Sequence, residues 1–337
     1  MTRPKRVLVV GAGSIGERHA RCFASTGRVA VSIGEPVAER RRVVAERYSI
    51  AECFDDFDAA VASRPDAAVI CTPAHMHIAM ATALARAGAN LLIEKPLSVS
   101  LDGIDELRRA IADAGVTAMV AYVLRSHPVL ADMHAAIRAG RIGEPLQLVA
   151  VGGQHFPHYR PAYRETYYSD HASGGGAIQD ALTHTLNAAE WLIGPIDCLA
   201  ADAAHQALPG VEVEDTVQII ARHGACLASY ALNQHQAPNE STITIVGSRG
   251  TARFESHRCR WSLSGEPETP WEVQSEATIQ RDDLFMRQAN RFLDVCEGDR
   301  AETCSLEAAT QTLRVNLAAL ESWRARRWVD VSTGQTL

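Results

Sequence analysis

No two of the eight cysteines in this 337-residue chain, scattered from Cys22 to Cys304, have the Cys-x-x-Cys spacing. That speaks against a zinc ribbon and offers no disulfide framework, so the thiols read as reduced and the protein as cytoplasmic. No uninterrupted apolar run approaches the roughly 20 residues that a membrane helix needs, so no membrane span is expected. The basic N-terminal stretch ahead of an apolar run mimics a secretory signal. The run breaks into a glycine motif and Glu17-Arg18, however, and reads better as a first strand. Blocks of like charge are also missing: the formal charge of −7, from 33 basic and 40 acidic residues, is spread along the chain. Neither a nucleic-acid nor an anionic-membrane surface is expected, which leaves a small-molecule partner.

With 47% hydrophobic and 22% charged residues, the chain has ordinary globular composition and the length for two domains. Val7-Leu8-Val9-Val10 is a β-branched apolar run that leads into Gly11-Ala12-Gly13-Ser14-Ile15-Gly16 and then a helical stretch ending near Gly27. Gly11 permits the tight turn, Gly13 lets backbone approach a pyrophosphate, and Gly16 lets the helix pack close on the strand. The helix start at Ser14 and Ile15 offers N–H groups to the phosphates. A second strand over 29–33 precedes Glu35, which lies 22 positions beyond Gly13 (35 − 13). A carboxylate there accepts hydrogen bonds from adenosine ribose hydroxyls and repels a 2′-phosphate, so NAD is expected. Arg40, Arg41 and Arg42 on the following helix keep NADP open; their plainer role is a solvated helix face.

Residues 67–71 form a further apolar strand ending at Thr72-Pro73, with His75 and His77 ahead of an alanine-rich helix. Histidines two apart do not share a helix face, so they make no metal pair. His77 reads either as a capping or hydrogen-bonding group near the cofactor or as a helix-start histidine without such a role. Leu91-Leu92-Ile93-Glu94-Lys95-Pro96 then reads as a buried strand with its charged pair at the carboxyl end, the rim where open parallel sheets bind ligands. A lysine there can exchange a proton with a substrate hydroxyl. Taken alone, Glu-Lys-Pro favours a plain salt-bridged strand end. A helix over 101–114 and a strand over 116–123 complete the alternation of a doubly wound parallel sheet, giving a Rossmann domain over 1–123.

From 124 the pattern changes. After a helix over 128–140, strand-like segments at 146–151, 216–221, 226–232, 241–246 and 251–255 have few helices between them. They point to an α/β domain over 124–337 with a largely antiparallel open sheet. Gly174-Gly175-Gly176 breaks the chain, and a helix over 177–193 carries Asp180 and His184 four residues apart, on one face. The carboxylate can orient the imidazole, which can pass a proton to or from a hydroxyl. Spacing alone favours a structural hydrogen bond, and no third ligand completes a metal site. Residues 155–168 gather Phe156, Tyr159, Tyr163, Tyr167 and Tyr168 beside His158, Arg160 and Arg164. That mixture suits a sugar, whose C–H faces stack while its hydroxyls need polar partners, and equally suits an oligomer arm or plain packing. Tyr122, Arg125, His155 and Asn233 are weaker candidates for substrate contact. Near the end, Leu306, Leu313, Leu317 and Leu320 on a helix over 304–326 read as a core stripe.

Taken in order, several of these motifs resemble the glucose-fructose oxidoreductase / inositol dehydrogenase / rhizopine catabolism (Gfo/Idh/MocA) family over nearly the whole chain. They are the glycine motif, Thr72-Pro73 with His77, Glu94-Lys95-Pro96, the triple glycine with Asp180 and His184, and the Gly247-Ser248-Arg249-Gly250 turn. The resemblance implies that Lys95 lies at the nicotinamide and substrate, that Glu94 lies near the nicotinamide ribose, and that Thr72, Pro73 and His77 line the cofactor cleft. It further implies that Asp180 and His184 join Lys95 at the reacting carbon, and that the second domain binds substrate and forms a homodimer or homotetramer. The implied activity is an NAD- or NADP-dependent dehydrogenase acting on a secondary alcohol of a sugar, cyclitol or related polyol. Two other classes stay open: a redox-neutral enzyme that cleaves glycosides through transient oxidation on retained NAD, and a non-catalytic dinucleotide sensor.

Overall fold

Four consecutive apolar residues, Val7, Leu8, Val9 and Val10, are almost completely buried, as in a parallel strand covered on both faces. In the computed structural model, which describes residues 5–299 and 303–333, they belong to β1 (Lys5–Val10) of a six-stranded sheet. Its other strands are β2 (Val29–Gly34), β3 (Glu52–Phe54), β4 (Ala67–Ile70), β5 (Asn90–Ile93) and β6 (Ala118–Val120). Their order is β3-β2-β1-β4-β5-β6 and every neighbouring pair is parallel. Helices α1 (Ser14–Ser25), α2 (Ala38–Tyr48), α3 (Phe57–Ala62), α4 (His77–Arg86) and α5 (Ile104–Ala114) lie on the connections. The strand order reverses between β1 and β4, and ligands of such sheets bind outside the carboxyl ends at that switch point. Register decides which residues meet there. Val10 pairs with Ile70, and Ile70 with Ile93, so Gly11, Cys71 and Glu94 leave the sheet in one row.

The chain divides into two compact units. The first runs to Ser126 and also takes Gln280–Thr310; the second is His127–Ile279 with the residues from Gln311 onward. This differs from a contiguous division at 123/124: the first boundary falls after Ser126, and 280–310 returns to the first unit. The returning segment carries a helix, Asp283–Cys296, whose Ala289, Phe292 and Leu293 share a core with Val7, Val9 and Phe23. Arg28 reaches its Asp294 and Glu297, and Arg21 forks onto Asp282 just before it. The outermost residues of both expected domains lie outside the described ones.

In the second unit, α6 (Pro128–Arg138), α7 (Phe156–Tyr159) and α8 (Thr183–Ile193) accompany a nine-stranded sheet. Helix α9 (Asp283–Cys296) belongs to the first unit, and α10 (Leu306–Ala325) begins there and continues into the second. The strands are β7 (Pro145–His155), β8 (Cys198–Ala204), β9 (Thr216–His223), β10 (Cys226–Asn233), β11 (His235–Gly247), β12 (Gly250–Glu255), β13 (Arg260–Ser264), β14 (Glu272–Glu276) and β15 (Val329–Asp330). They run β14-β13-β12-β11-β7-β10-β9-β8-β15, antiparallel except for β7 with β10. The α/β class and the mostly antiparallel second sheet match expectation. Along β9 and β10 burial alternates, and the outer face shows Val151, Ile220 and Leu227 to solvent.

Other differences have local causes. The strand expected over 116–123 is cut to Ala118–Val120 because residues 123–126 wind into a 3-10 turn. The helix expected from 101 starts at Ile104, after Gly103 in the left-handed region. The short strands β3, β8, β13, β14 and β15, and helix α9, have no counterpart in the sequence reading. Among the described residues, no helix is long and apolar enough to cross a membrane.

Candidate active site

The glycine loop shows why its residues are glycine. Gly11 has φ +88°, and a Cβ there would sit 3.0 Å from the carbonyl oxygen of Cys71. A Cβ on Gly16 would lie 1.8 Å from the Gly11 carbonyl oxygen, so the close seating of α1 on β1 permits nothing larger. At Gly13 a Cβ would meet no atom within 4 Å, which leaves the space over the loop open to a ligand. No side chain caps α1, whose first residues are Ser14 and Ile15. A helix start of this kind, with free N–H groups, suits a pyrophosphate.

At the end of β2, Glu35 is only 3% exposed. Its Oε2 accepts the Ala12 N–H at 2.8 Å and its Oε1 the Val37 N–H at 3.0 Å, and Arg40 Nη1 lies 3.3 Å from Oε1. The carboxylate therefore supports the glycine loop and keeps lone pairs for further donors. Of the three arginines, Arg41 donates to the Glu35 carbonyl, while Arg42 pairs with Glu39 and Glu46 on an exposed helix face. The solvated-face reading thus holds for Arg42.

The rim of β4 and β5 is built more tightly than its sequence suggests. Glu94 is buried, its Oε1 2.7 Å from His19 Nε2 and its Oε2 accepting the Lys95 N–H at 3.0 Å. Burial raises this carboxyl. The hydrogen bond and charge of His19, then the charge and N–H of Lys95, outweigh burial and hold Glu94 below the usual carboxylate range. Lys95 itself is half-buried and precedes a cis peptide to Pro96. His77 does not cap α4 through an N–H. Its Nε2 lies 2.8 Å from the Thr72 carbonyl oxygen and its Nδ1 3.1 Å from that of Pro96, so it sits between the two strand-end loops. Burial lowers its pKa, and the facing carbonyls with Glu94 offset only part of that. A neutral ring donates to only one of the two carbonyls.

In the second unit the aromatic stretch splits in two. Phe156, Tyr163 and Tyr168 pack with Leu208, Val211 and Val213. Tyr163 is buried with its hydroxyl on the Pro209 carbonyl at 2.7 Å. Tyr168 donates to Gln234; burial, then the charges of Asp180, Glu214 and Asp215, raise its phenol pKa. Tyr167 stays 43% exposed and donates to Asp180 Oδ1 at 2.7 Å. Asp180 and His184 are both half-buried but do not share a regular α-helix. Ile178–Leu182 is a π-helical turn, and α8 starts only at Thr183, just before His184. Such wide turns recur at functional sites. Asn187 with Thr312, and Asn316 with Thr183, fasten α8 to α10.

Of the weaker candidates, Tyr122 is buried, Arg125 is half-buried with Nη1 3.4 Å from the Thr303 carbonyl oxygen, and Asn233 donates to Gln236. His155 is exposed at the end of β7, opposite His235. The sequence reading passed over His19, although it sits on the inward stripe of α1 with Gly16, Ala20 and Phe23. A histidine in an apolar stripe was the available signal. Glu214, the fully buried partner of His171, carried no comparable signal.

Comparison with known proteins adds two family matches. Residues 5–122 match the model described as oxidoreductase family, NAD-binding Rossmann fold, and residues 130–253 match the Gfo/Idh/MocA C-terminal domain. The inositol 2-dehydrogenase of Rhizobium meliloti (strain 1021) is 27% identical over 263 residues, covering 75% of this chain and 76% of that protein. The scyllo-inositol 2-dehydrogenase (NAD(+)) of Bacillus subtilis (strain 168) is also 27% identical, over 58% of this chain, and the match spans only 55% of the relative. Among solved structures, a levoglucosan dehydrogenase in complex with NADH and levoglucosan superposes with a TM-score of 0.87 at 21% identity, covering 98% of this chain and all of that one. At that identity the likeness is one of fold.

Proposed function

The chain belongs to the Gfo/Idh/MocA oxidoreductase family, and from that premise we propose that it transfers hydride between NAD and a secondary alcohol or ketone of a sugar, cyclitol or related polyol. The observation that carries the proposal is the row at the switch point: the open glycine loop after β1, the Thr72 loop after β4, and Glu94-Lys95 after β5. Gly11, Gly13, Ser14, Ile15 and Gly16 hold the pyrophosphate. Glu35 takes the adenosine ribose, and Thr72, Pro73, His77 and Glu94 shape the nicotinamide side. The bound nicotinamide supplies the hydride acceptor or donor. Lys95 removes or returns the hydroxyl proton, assisted by His184, which Asp180 orients. Tyr122, Arg125, His155 and Tyr163 are the further substrate contacts.

NAD is preferred over NADP because the Glu35 carboxylate opposes a 2′-phosphate. The protein is cytoplasmic, in keeping with eight cysteines that are all free. It forms a homodimer or homotetramer through the second unit, where Val151, Ile220 and Leu227 share one exposed sheet face. The test is near-UV absorbance of reduced nicotinamide, with NAD and then NADP, across inositols, aldoses, sugar acids, anhydrosugars and their ketones. Turnover with NAD on at least one alcohol or ketone is expected. Silence across both sets, with NAD bound, would overturn the assignment.

A further inference from the structure

Glu214, like its neighbour Asp215, is a completely buried acid that the proposed chemistry does not use. Its side chain is 0% exposed, on the segment leading into β9, and its atoms face two other segments. Oε1 accepts the N–H of Ile178, the first residue of the π-helical turn, at 2.8 Å, and the Glu214 carbonyl accepts the Ala177 N–H at 3.0 Å. Oε2 lies 2.5 Å from Nε2 of His171, on the loop that runs from Tyr167 to the triple glycine. A carboxylate only accepts, so Nε2 is the donor. One carboxylate therefore holds a loop with one oxygen and a turn with the other.

Those two segments meet at a bond that matters for the proposed chemistry. The loop carries Tyr167, the turn carries Asp180, and the Tyr167 hydroxyl donates to Asp180 Oδ1 at 2.7 Å. Gly176 lies between the segments with φ +86°, and a Cβ there would come within 2.6 Å of Glu214 Oε2 and 2.8 Å of His171 Nε2. Further bonds on the loop run from Ser173 Oγ to the Tyr167 carbonyl, from the Gly176 N–H to that of Tyr168, from Gln179 Nε2 to the His171 carbonyl at 3.1 Å, and from the Tyr168 hydroxyl to Gln234. We infer that Glu214 and His171 are positioning residues that hold the Tyr167 loop against the Asp180 turn, so that the Asp180 carboxylate is presented in one orientation for proton handling. The inference rests on the role proposed for Asp180.

A helix start with a buried carboxylate on its first N–H groups is stabilised by the partial positive charge there. Misplacing a reacting group by about 1 Å costs up to about a hundredfold in rate. The test uses the half-buried histidine, since truncating Glu214 inside the core risks the fold. His171→Leu removes the donor; His171→Gln keeps an N–H that can reach Glu214. Asp180→Asn is assayed in parallel with a substrate found in the nicotinamide panel. The expected result for His171→Leu is a kcat lower by about ten- to a hundredfold. The KM for NAD should stay within about twofold, because cofactor is held by the other unit. Amide exchange across 163–182 should be faster, and His171→Gln should regain most of the kcat. If His171→Leu keeps full kcat and unchanged exchange while Asp180→Asn is inactive, the positioning role is wrong. If Asp180→Asn is itself fully active, the proposed role of Asp180 has failed; faster exchange in His171→Leu then still reports the clamp.

Discussion

Each unit holds a buried glutamate paired with a histidine, and the two pairs are used differently. In the first unit His19 and Glu94 stand behind Lys95, which is set by the end of β5 and the register of three parallel strands. In the second, Glu214 and His171 stand behind Asp180, which sits on an irregular turn between a coiled segment and α8. A strand end is placed by a whole sheet and needs only a local partner to aim one side chain. A turn without such a frame needs its backbone held as well, and Glu214 accepts two backbone N–H groups through its carboxylate and carbonyl where Glu94 accepts one from Lys95.

The sharpest break in the comparison comes from removing the groups themselves. Lys95→Ala should lower kcat by about a hundredfold to ten-thousandfold, the range of a lost acid–base group, while NAD affinity stays nearly unchanged. Fluorescence titration with reduced nicotinamide beside steady-state rates separates the two, and retained turnover would remove Lys95 from the reaction. His19→Leu should come next. It leaves the Glu94 carboxylate buried with its side-chain partner gone, which costs about 3 kcal/mol. Glu94 lies below its usual range in the folded protein, so its contribution is present above the unfolded value of about 4.3 and is lost as pH falls through the folded value. Without His19, burial should push the Glu94 carboxyl up toward or past its unfolded value, so that this acid-linked loss shrinks or disappears. Denaturation at a series of pH values would show it, and identical curves for the two proteins would mean that the pair carries no charge.

The same contrast explains what could be read from residue order. The phosphate loop was legible because its reasons are local: a strand, three glycines and a helix within one short run. Lys95 was legible as a strand end because an apolar run stops at a charge and a proline. His19 and Glu94 are 75 residues apart, and His171 and Glu214 are 43 apart, so neither pairing leaves a trace in spacing. The helix over 177–193 was read correctly from Thr183 on. Its first turn is π-helical, and the Ala177 and Ile178 N–H groups at its start go to Glu214, 36 residues beyond Ile178. Aromatic clustering could not separate Tyr163, which is packed, from Tyr167, which faces solvent, because both sit in the same polar context.

Smaller effects test the irregular region further. Gly176→Ala should destabilise the protein by about 2 kcal/mol, since it places a Cβ in the left-handed region and against the Glu214 carboxylate. The matching change at Gly13, where the space is open and φ is not positive, should leave thermal stability nearly unchanged while weakening NAD. Equal losses in melting temperature would erase the distinction. A second buried histidine gives an opposite electrostatic case. His223 donates through Nδ1 to the Gly194 carbonyl and accepts the Tyr230 hydroxyl at Nε2, so its neutral form is fully satisfied, and burial lowers its pKa. Its contribution is present above the unfolded value of about 6.5 and is lost as pH falls toward the folded value. Tyr230→Phe should cost about 1 kcal/mol at neutral pH and flatten the decline between pH 7 and 5. An unaltered slope would place that decline on other groups.

A change of comparable size is expected at Glu35, where the observed loop support and the proposed ribose contact coincide. Both oxygens already accept backbone N–H groups, from Ala12 and Val37, and Arg40 lies within 3.4 Å of each. Glu35→Ala removes an acceptor for the ribose and frees Arg40 to meet a 2′-phosphate. NAD affinity should fall about tenfold, roughly the 1.4 kcal/mol of one good hydrogen bond, while NADP affinity holds or improves. If Glu35 served only to hold the glycine loop, the two cofactors would weaken in parallel, because both place a pyrophosphate there. Titration of the one variant with both dinucleotides therefore separates cofactor choice from loop support.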